Sequence, residues 1–374
     1  MIPFNKPFLV GNETHYIKEA VLSGKISGNG IFTKKCQNFF EQEYHFKKTL
    51  LTTSCTDALE MAAILLDIRP GDEVIVPSYT FVSSALAFIR QGANIVFADS
   101  RKDHPGIDEN KIEGLVTAKT KAVVVVHYAG VACDMDIVMG VAKKYGIYVV
   151  EDAAQAIDSF YKGKPLGGIG HLSTFSFHET KNIIAGEGGL LAINDGRFVE
   201  RSEVIWEKGT NRSAFFKGEV DKYGWVDTGS SFLPSELTAA FLFAQLEYLA
   251  EIQKKRKQIW NTYLDELNPL EKKGNIILPC IPDYATNNAH MFYILAENVE
   301  QRDKILAFLK GKGVHAVFHY ISLHRSDYYL RDNKLRRLNN SDRFSDCLIR
   351  LPFFFELEQE NLDYIIEQVK NFFD

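Results

Sequence analysis

Lys181 sits in the run STFSFHETKN (173–182), after an alternating stretch ending in Ser176 and His178 and before the glycine turn GEGG (186–189). A lysine in a polar loop is ordinarily a solvated surface group. Held beside a cationic group and away from water, its amine loses proton affinity and becomes nucleophilic, as Schiff-base chemistry requires. The glycines let the chain turn sharply or approach a ligand closely. Upstream, YVVEDAAQ (148–155) closes an apolar strand with two acids. A buried carboxylate there needs a cation or hydrogen bonds. A pyridinium nitrogen would be such a partner for Asp152, and a ring kept protonated in this way can draw electrons from a carbanion. Capping the next helix is the plainer role for the same residue. Gln155, one turn on, falls on the same side. A third run, TTSCTDALE (52–60), follows a strand and opens a helix. Its first-turn N–H groups, with the hydroxyls of Ser54 and Thr56, offer an anion site, although a simple helix cap uses the same residue types.

These residues need a scaffold that brings strand ends together. From Lys48 to Asn194 short apolar runs alternate with helical patterns. Strands are expected at Lys48–Thr52, Glu73–Val76, Ile95–Ala98, Ala122–Val126 and Tyr148–Val150, and helices at Asp57–Leu66, Ser83–Gln91 and Met135–Tyr145. Strands that read as continuous apolar runs are buried on both faces, and strand-helix alternation predicts a mainly parallel sheet. Ligands on such sheets sit at the carboxyl ends of the strands. Residues 195–230 read as helix plus loop, and a continuous helix is expected from Ser235 to Leu264. The tail predicts a small α+β unit: strands Met291–Ala296 and Ala316–His319, and helices Arg302–Lys310 and Gln359–Phe373.

Bulk properties narrow the function classes. The 374 residues are 46% hydrophobic and 24% charged, with net charge −5. That balance suits a large soluble core and gives no electrostatic footprint for nucleic acid or an anionic membrane. The start MIPFN is unlike a signal peptide, and no apolar stretch is long enough to span a bilayer. Five scattered cysteines without a CxxC pair predict free thiols, no metal site and a cytoplasmic protein.

Taken in order, EDAAQA with Asp152 and Gln155, SFHETKN with Lys181, and GEGG resemble the vitamin-B6-dependent sugar aminotransferases of fold type I. PSYTFVSSALA (77–87), HYAGVACDMD (127–136) and HYISLH (319–324) extend the resemblance over essentially the whole chain. It implies an α/β fold: a large domain (1–250) with a mainly parallel seven-stranded sheet between helices, and a smaller C-terminal α+β domain (251–374). It implies pyridoxal 5'-phosphate as cofactor, carried covalently by Lys181, which also shuttles the proton. Asp152 would face the ring nitrogen, Gln155 the ring oxygen, and Phe81 would stack on the ring. The Cys55–Thr56 backbone and Ser176 would hold the phosphate, while His178, Tyr320 and His324 would meet the substrate. A homodimer with shared active sites is implied as well.

Two positions depart from the family pattern. Ser231 stands where many members place an Asn that reaches the phosphate from the neighbouring subunit, and Ser322 stands where a proline is usual. The segments MIPFN (1–5), EKGTNRSAFFKGEVDKY (207–223) and NAHMFYI (288–294) narrow the expected reaction further. Their resemblance to family members that act on a 4-keto sugar implies transfer from L-glutamate to the C4 ketone of dTDP-4-keto-6-deoxyglucose, giving dTDP-4-amino-4,6-dideoxygalactose for a surface polysaccharide such as enterobacterial common antigen. Another keto-sugar, aminated at C3 or with the other C4 outcome, is the alternative. Dehydratases on this scaffold carry His in place of the lysine, so Lys181 argues against that chemistry. Intact Lys181, Asp152 and Gln155 argue against a non-catalytic sensor. A nicotinamide-binding reading would need Gly24, Gly28 and Gly30 to open a βα turn, and their spacing does not fit.

Overall fold

The computed structural model describes residues 1–374. Its strands are β1 (Lys48–Thr52), β2 (Glu73–Pro77), β3 (Asn94–Ala98), β4 (Thr120–Val126), β5 (Tyr148–Asp152), a short hairpin of β6 (Phe160–Tyr161) and β7 (Lys164–Pro165), β8 (Leu172–Ser176), β9 (Gly189–Ile193), β10 (Tyr293–Leu295) and β11 (Leu348–Arg350). Seven of them form the central sheet in the order β1-β9-β8-β5-β4-β2-β3. β9 runs antiparallel to both its neighbours, and every other pairing is parallel. The expected mainly parallel sheet is therefore present, with one strand reversed.

Alternation along the strands builds the core. Ile75, Val123, Val125 and Val149 enter one apolar cluster, while Val74, Val76, Ala122, Val124 and Val150 enter another. Successive side chains point to opposite faces, so two clusters mean both faces are covered. The crossover helices begin at side-chain caps. Ser54 Oγ accepts from the Asp57 N–H (3.1 Å) ahead of helix Cys55–Leu65. Asp134 caps helix Met135–Tyr145, which Gly146 ends at φ 66°. That left-handed conformation suits glycine.

The C-terminal part has its own apolar cluster, drawn from residues 259–369. β10 pairs with β11 there, and the chain's first residues join it: the Ile2 N–H donates to the Gly313 carbonyl (2.8 Å) and the Phe353 N–H to the Phe4 carbonyl (3.1 Å). Two sequence expectations fail in this region. The helix expected without interruption from Ser235 is two, Glu236–Glu247 and Leu249–Lys272, broken at Tyr248 (φ −104°, ψ 11°). The Tyr248 N–H turns to the Gln245 carbonyl three residues back; the sequence pattern runs straight through a one-residue break, so periodicity could not show it. The strand expected at Ala316–His319 reduces to one bridge, Val317 with Arg350, because the following residues leave the sheet for the cavity wall. No helix is long and apolar enough to cross a membrane.

Candidate active site

A cavity of about 640 Å³ opens at the carboxyl ends of the parallel strands. Asp152 ends β5, Ser176 ends β8, and Cys55 and Thr56 open the helix after β1. Phe81 precedes helix Ser83–Ile89, and Lys181 lies in the tight turn from β8 to β9. All six line the cavity, with Gln155, His178 and Tyr320. Nine of the eleven residues singled out by sequence therefore converge on one space.

The two acids of β5 part company as strand geometry demands, one to each face. Glu151 accepts from His127 Nε2 (2.9 Å) and from the N–H groups of Gly167, Ile169 and Gly170. Burial pushes its carboxyl up, but His127 and those N–H groups together hold it below the usual range. Asp152 faces the cavity. Its Oδ2 accepts from Ser84 Oγ (2.6 Å) and its Oδ1 from the Ala154 N–H (3.2 Å). Burial dominates, so its carboxyl stands above the usual value despite those bonds and the charge of Lys181. A cation in the cavity would reverse that shift.

Lys181 is buried in the opposite sense. Loss of solvent lowers its amine pKa, opposed by Cys55 and Asp152 and reinforced by the like charge of Arg350. Its backbone is fixed by a turn in which the Lys181 N–H meets the His178 carbonyl (2.9 Å) and the Ala185 N–H the Phe177 carbonyl (2.7 Å). Gly186 (φ +76°) closes that turn. Asn182, the next residue, is buried and anchored by Gln253 Oε1 (2.7 Å), the Asn288 carbonyl (2.9 Å) and His290 Nδ1 (2.8 Å).

Gln155 Oε1 accepts from the Ala129 N–H (2.6 Å), and its Nε2 donates to Tyr320 Oη (3.2 Å). Tyr320 stacks on His319 with centroids 3.5 Å apart, and its ring stands 6.0 Å from that of Phe81. His178 Nδ1 meets Thr180 Oγ1 (3.0 Å), and Glu187 lies 3.7 Å from His178 Nε2.

Two expected residues lie elsewhere. His324 is buried, with Nδ1 2.6 Å from Ser78 Oγ, and does not reach the cavity. The Leu323 N–H binds the Ser78 carbonyl (2.8 Å), folding the turn under the end of β2, so His324 packs beneath that strand end in this chain. Ser322, in the proline position, uses both its groups: its hydroxyl donates to the Ser341 carbonyl (2.9 Å) and its N–H to Ser345 Oγ (3.3 Å). A proline could not make the second bond. Ser231 is exposed, bridged to Glu207 and outside this chain's cavity. Sequence reasoning missed Ser84 and His319, although both lay within motifs already singled out.

The model of the DegT/DnrJ/EryC1/StrS aminotransferase family matches residues 8–370. The chain belongs to that family. It is a pyridoxal-phosphate-dependent sugar nucleotide aminotransferase of fold type I. It is 31% identical to the GDP-perosamine synthase of Escherichia coli O157:H7, covering 100% of this chain and 98% of that protein. Identity to the spore coat polysaccharide biosynthesis protein SpsC of Bacillus subtilis is 30%, over 99% of this chain and 96% of SpsC. Among solved structures, the sugar aminotransferase Spr1654 of Streptococcus pneumoniae in its PMP form superposes with TM-score 0.92 at 27% identity, covering 99% and 98% of the two chains. DesV of S. venezuelae, in complex with a ketimine intermediate, gives 0.90 at 28%, with the same coverage.

The residues present fit the cofactor. At Gly189 a Cβ would lie 2.3 Å from the Ser54 carbonyl carbon and 2.4 Å from the Cys55 nitrogen, so only glycine lets β9 approach the helix start this closely. With the Asp57 N–H taken by the Ser54 cap, the Cys55 and Thr56 N–H groups of that first turn have no intrahelical acceptor and suit a phosphate. Thr174 Oγ1, on β8, is buried without a partner. An acid for a ring nitrogen and an amine for a carbonyl complete the donor set.

Proposed function

We propose that this aminotransferase moves the amino group of L-glutamate to the C4 ketone of dTDP-4-keto-6-deoxyglucose. The products are 2-oxoglutarate and dTDP-4-amino-4,6-dideoxygalactose. The observation that carries the chemistry is the convergence of Lys181 and Asp152 in one cavity, each shifted by burial toward its neutral form. The choice of sugar rests on MIPFN, EKGTNRSAFFKGEVDKY and NAHMFYI, which resemble the transaminase that makes this product, a precursor of enterobacterial common antigen.

When bound, pyridoxal phosphate supplies an electrophilic carbonyl and an electron-withdrawing ring. Lys181 holds it and, once released, its Nζ takes the proton from the donor's α-carbon and later delivers one to C4 of the sugar. Asp152 would keep the ring nitrogen protonated, and Ser84 orients that carboxylate. Gln155 would reach the ring oxygen, Phe81 would cover the ring face, and the Cys55–Thr56 N–H groups with Ser176 would hold the phosphate. His178 and Tyr320 border the sugar. Ser231 acts on the cavity of a second copy in a homodimer. The chain divides near residue 250 into a large cofactor-binding domain and a small domain. Five unpaired cysteines support a reducing, cytoplasmic setting.

The test is incubation of the cofactor-loaded protein with L-glutamate and dTDP-4-keto-6-deoxyglucose, with NMR of the product. An axial C4 amine is expected, and none from Lys181→Ala. Turnover of a 3-keto isomer with none of the 4-keto sugar would overturn the substrate assignment.

A further inference from the structure

Lys181 and Gln155 enter the cavity from different segments, and behind it both are tied to residues 287–290, the run leading into β10. Asn288 is fully buried there. Its Nδ2 donates to the carbonyls of Gln155 (2.8 Å) and Ile157 (2.8 Å), which have no other donor. Its Oδ1 accepts from the His290 N–H (3.1 Å). Its own carbonyl accepts from Asn182 Nδ2 (2.9 Å) and Gln253 Nε2 (3.2 Å). Gly130 lies against it: a Cβ at 130 would stand 1.9 Å from Asn288 Oδ1, so only glycine admits this side chain. The neighbouring Ala129 N–H is the one that holds Gln155 Oε1 (2.6 Å). Asn288 thus fixes the main chain of Gln155 and packs on the turn that holds its side chain.

The lysine side is tied as firmly. Asn182, one peptide from Lys181, is 5% exposed. Its Nδ2 gives its protons to Gln253 Oε1 (2.7 Å) and the Asn288 carbonyl, so its Oδ1 faces His290 Nδ1 (2.8 Å), and that nitrogen carries the proton. Gln253 is oriented in turn by Asp158 Oδ2, which accepts from its Nε2 (3.2 Å). Burial, with the positive charges of Lys181, Arg350 and Arg256, holds His290 well below the usual histidine range, so its ring is neutral. The donors and acceptors from Asp158 to His290 therefore have one arrangement, and a buried polar network matched in this way is rigid.

We propose that Asn288 is a positioning residue for amino transfer: it sets the place of Lys181, through Asn182, relative to Gln155, which it binds directly. A reacting group displaced by about 1 Å can lose roughly a hundredfold in rate, even when the change lies far from the chemistry. The Lys181 amine has to reach both the cofactor's carbonyl and the proton it moves. The inference rests on Lys181 holding the cofactor; the network behind it does not.

Asn288→Ala removes the donors to Gln155 and Ile157 and keeps the carbonyl for Asn182, whereas Asn182→Ala cuts the tie on the lysine side. Each should shift the absorbance maximum of the lysine-linked cofactor and slow cofactor uptake by cofactor-free protein. Each should also lower kcat about tenfold or more, with KM for glutamate changed less than about twofold. The two ties act in series, so the double variant should lose no more than the worse single one. Tyr263→Phe is the control: it cuts a buried bond to the Pro352 carbonyl (2.8 Å) away from the network, and should lose stability with spectrum, uptake and kcat unchanged. An Asn288→Ala protein that denatures more easily yet keeps all three would overturn the proposal, as would independent, multiplying losses in the double variant. If Asn288→Ala does not fold, Asn182→Ala decides by the same three readouts. Lys181→Ala separates this from the cofactor reading. A lysine-linked band that persists in Lys181→Ala removes the cofactor assignment, whereas its loss there, with Asn288→Ala and Asn182→Ala unchanged, removes the positioning role alone.

Discussion

Burial moves Lys181 and Asp152 in opposite directions along the pH scale, lowering the amine and raising the carboxyl, so that each shifts toward its neutral form. For the amine the sign is direct. Raising pH removes the ammonium proton, and only the neutral amine attacks the cofactor's carbonyl. Cofactor uptake by cofactor-free protein should therefore rise with pH and level off at a midpoint below 10.5, the ordinary lysine value. Stopped-flow absorbance across the pH range measures it, and a midpoint at or above 10.5 would contradict a desolvated amine. Asp152 was legible because it ends an apolar strand with a chemical type that such a setting does not tolerate unpaired, and Lys181 because it stands between an alternating strand and a glycine turn in a run that resembles the family's. Ser84 and His319 were not, since a serine in a helix and a histidine beside a tyrosine have ordinary roles until distances are known. His324 was expected at the substrate from the resemblance of HYISLH to the family's loop, and its bond to Ser78 Oγ with that of the Leu323 N–H to the Ser78 carbonyl turns it inward in this chain.

At the scale of elements, one close approach matters most for the cofactor. β9 lies against the start of helix Cys55–Leu65, and Gly189 is the point of contact. Ala at 189 would put its Cβ on rigid backbone that no side-chain rotation relieves. Gly189→Ala should cost about 1–3 kcal/mol, typical of overpacking, and also weaken cofactor retention by moving the phosphate donors. Gly186 is the control. It has open space around a Cβ but φ +76°, so Gly186→Ala should cost about 1 kcal/mol of backbone strain. Chemical denaturation with parallel cofactor titration separates the two; equal cofactor affinity in both variants would refute the cradle. The strands were readable because a strand buried on both faces leaves a bare apolar run. The break at Tyr248 was not, because one residue leaving helical geometry changes neither composition nor period.

For the whole molecule, the residues around Ser231 bear on assembly. Glu207 bridges Ser231 and Thr210 bridges Trp225, so the two ends of this segment are tied into one ribbon. On it Trp225 is 84% exposed, Phe216 70%, Val226 58% and Tyr223 53%. So much apolar surface on one ribbon marks a contact site, and aromatic residues carry most interface energy. If a second copy covers Trp225, the same contact carries Ser231 to that copy, where its hydroxyl would take the phosphate-binding role proposed for it. Sedimentation should then give twice the 42.4 kDa chain mass. Trp225→Glu should raise the dimer dissociation constant about thirtyfold or more, the scale of one hot-spot residue near 2 kcal/mol. Specific activity should fall with dilution in step with the dimer fraction, since each cavity loses the partner's hydroxyl on dissociation. A fully active monomer at any concentration would leave Ser231 without a role and the exposed aromatics unexplained.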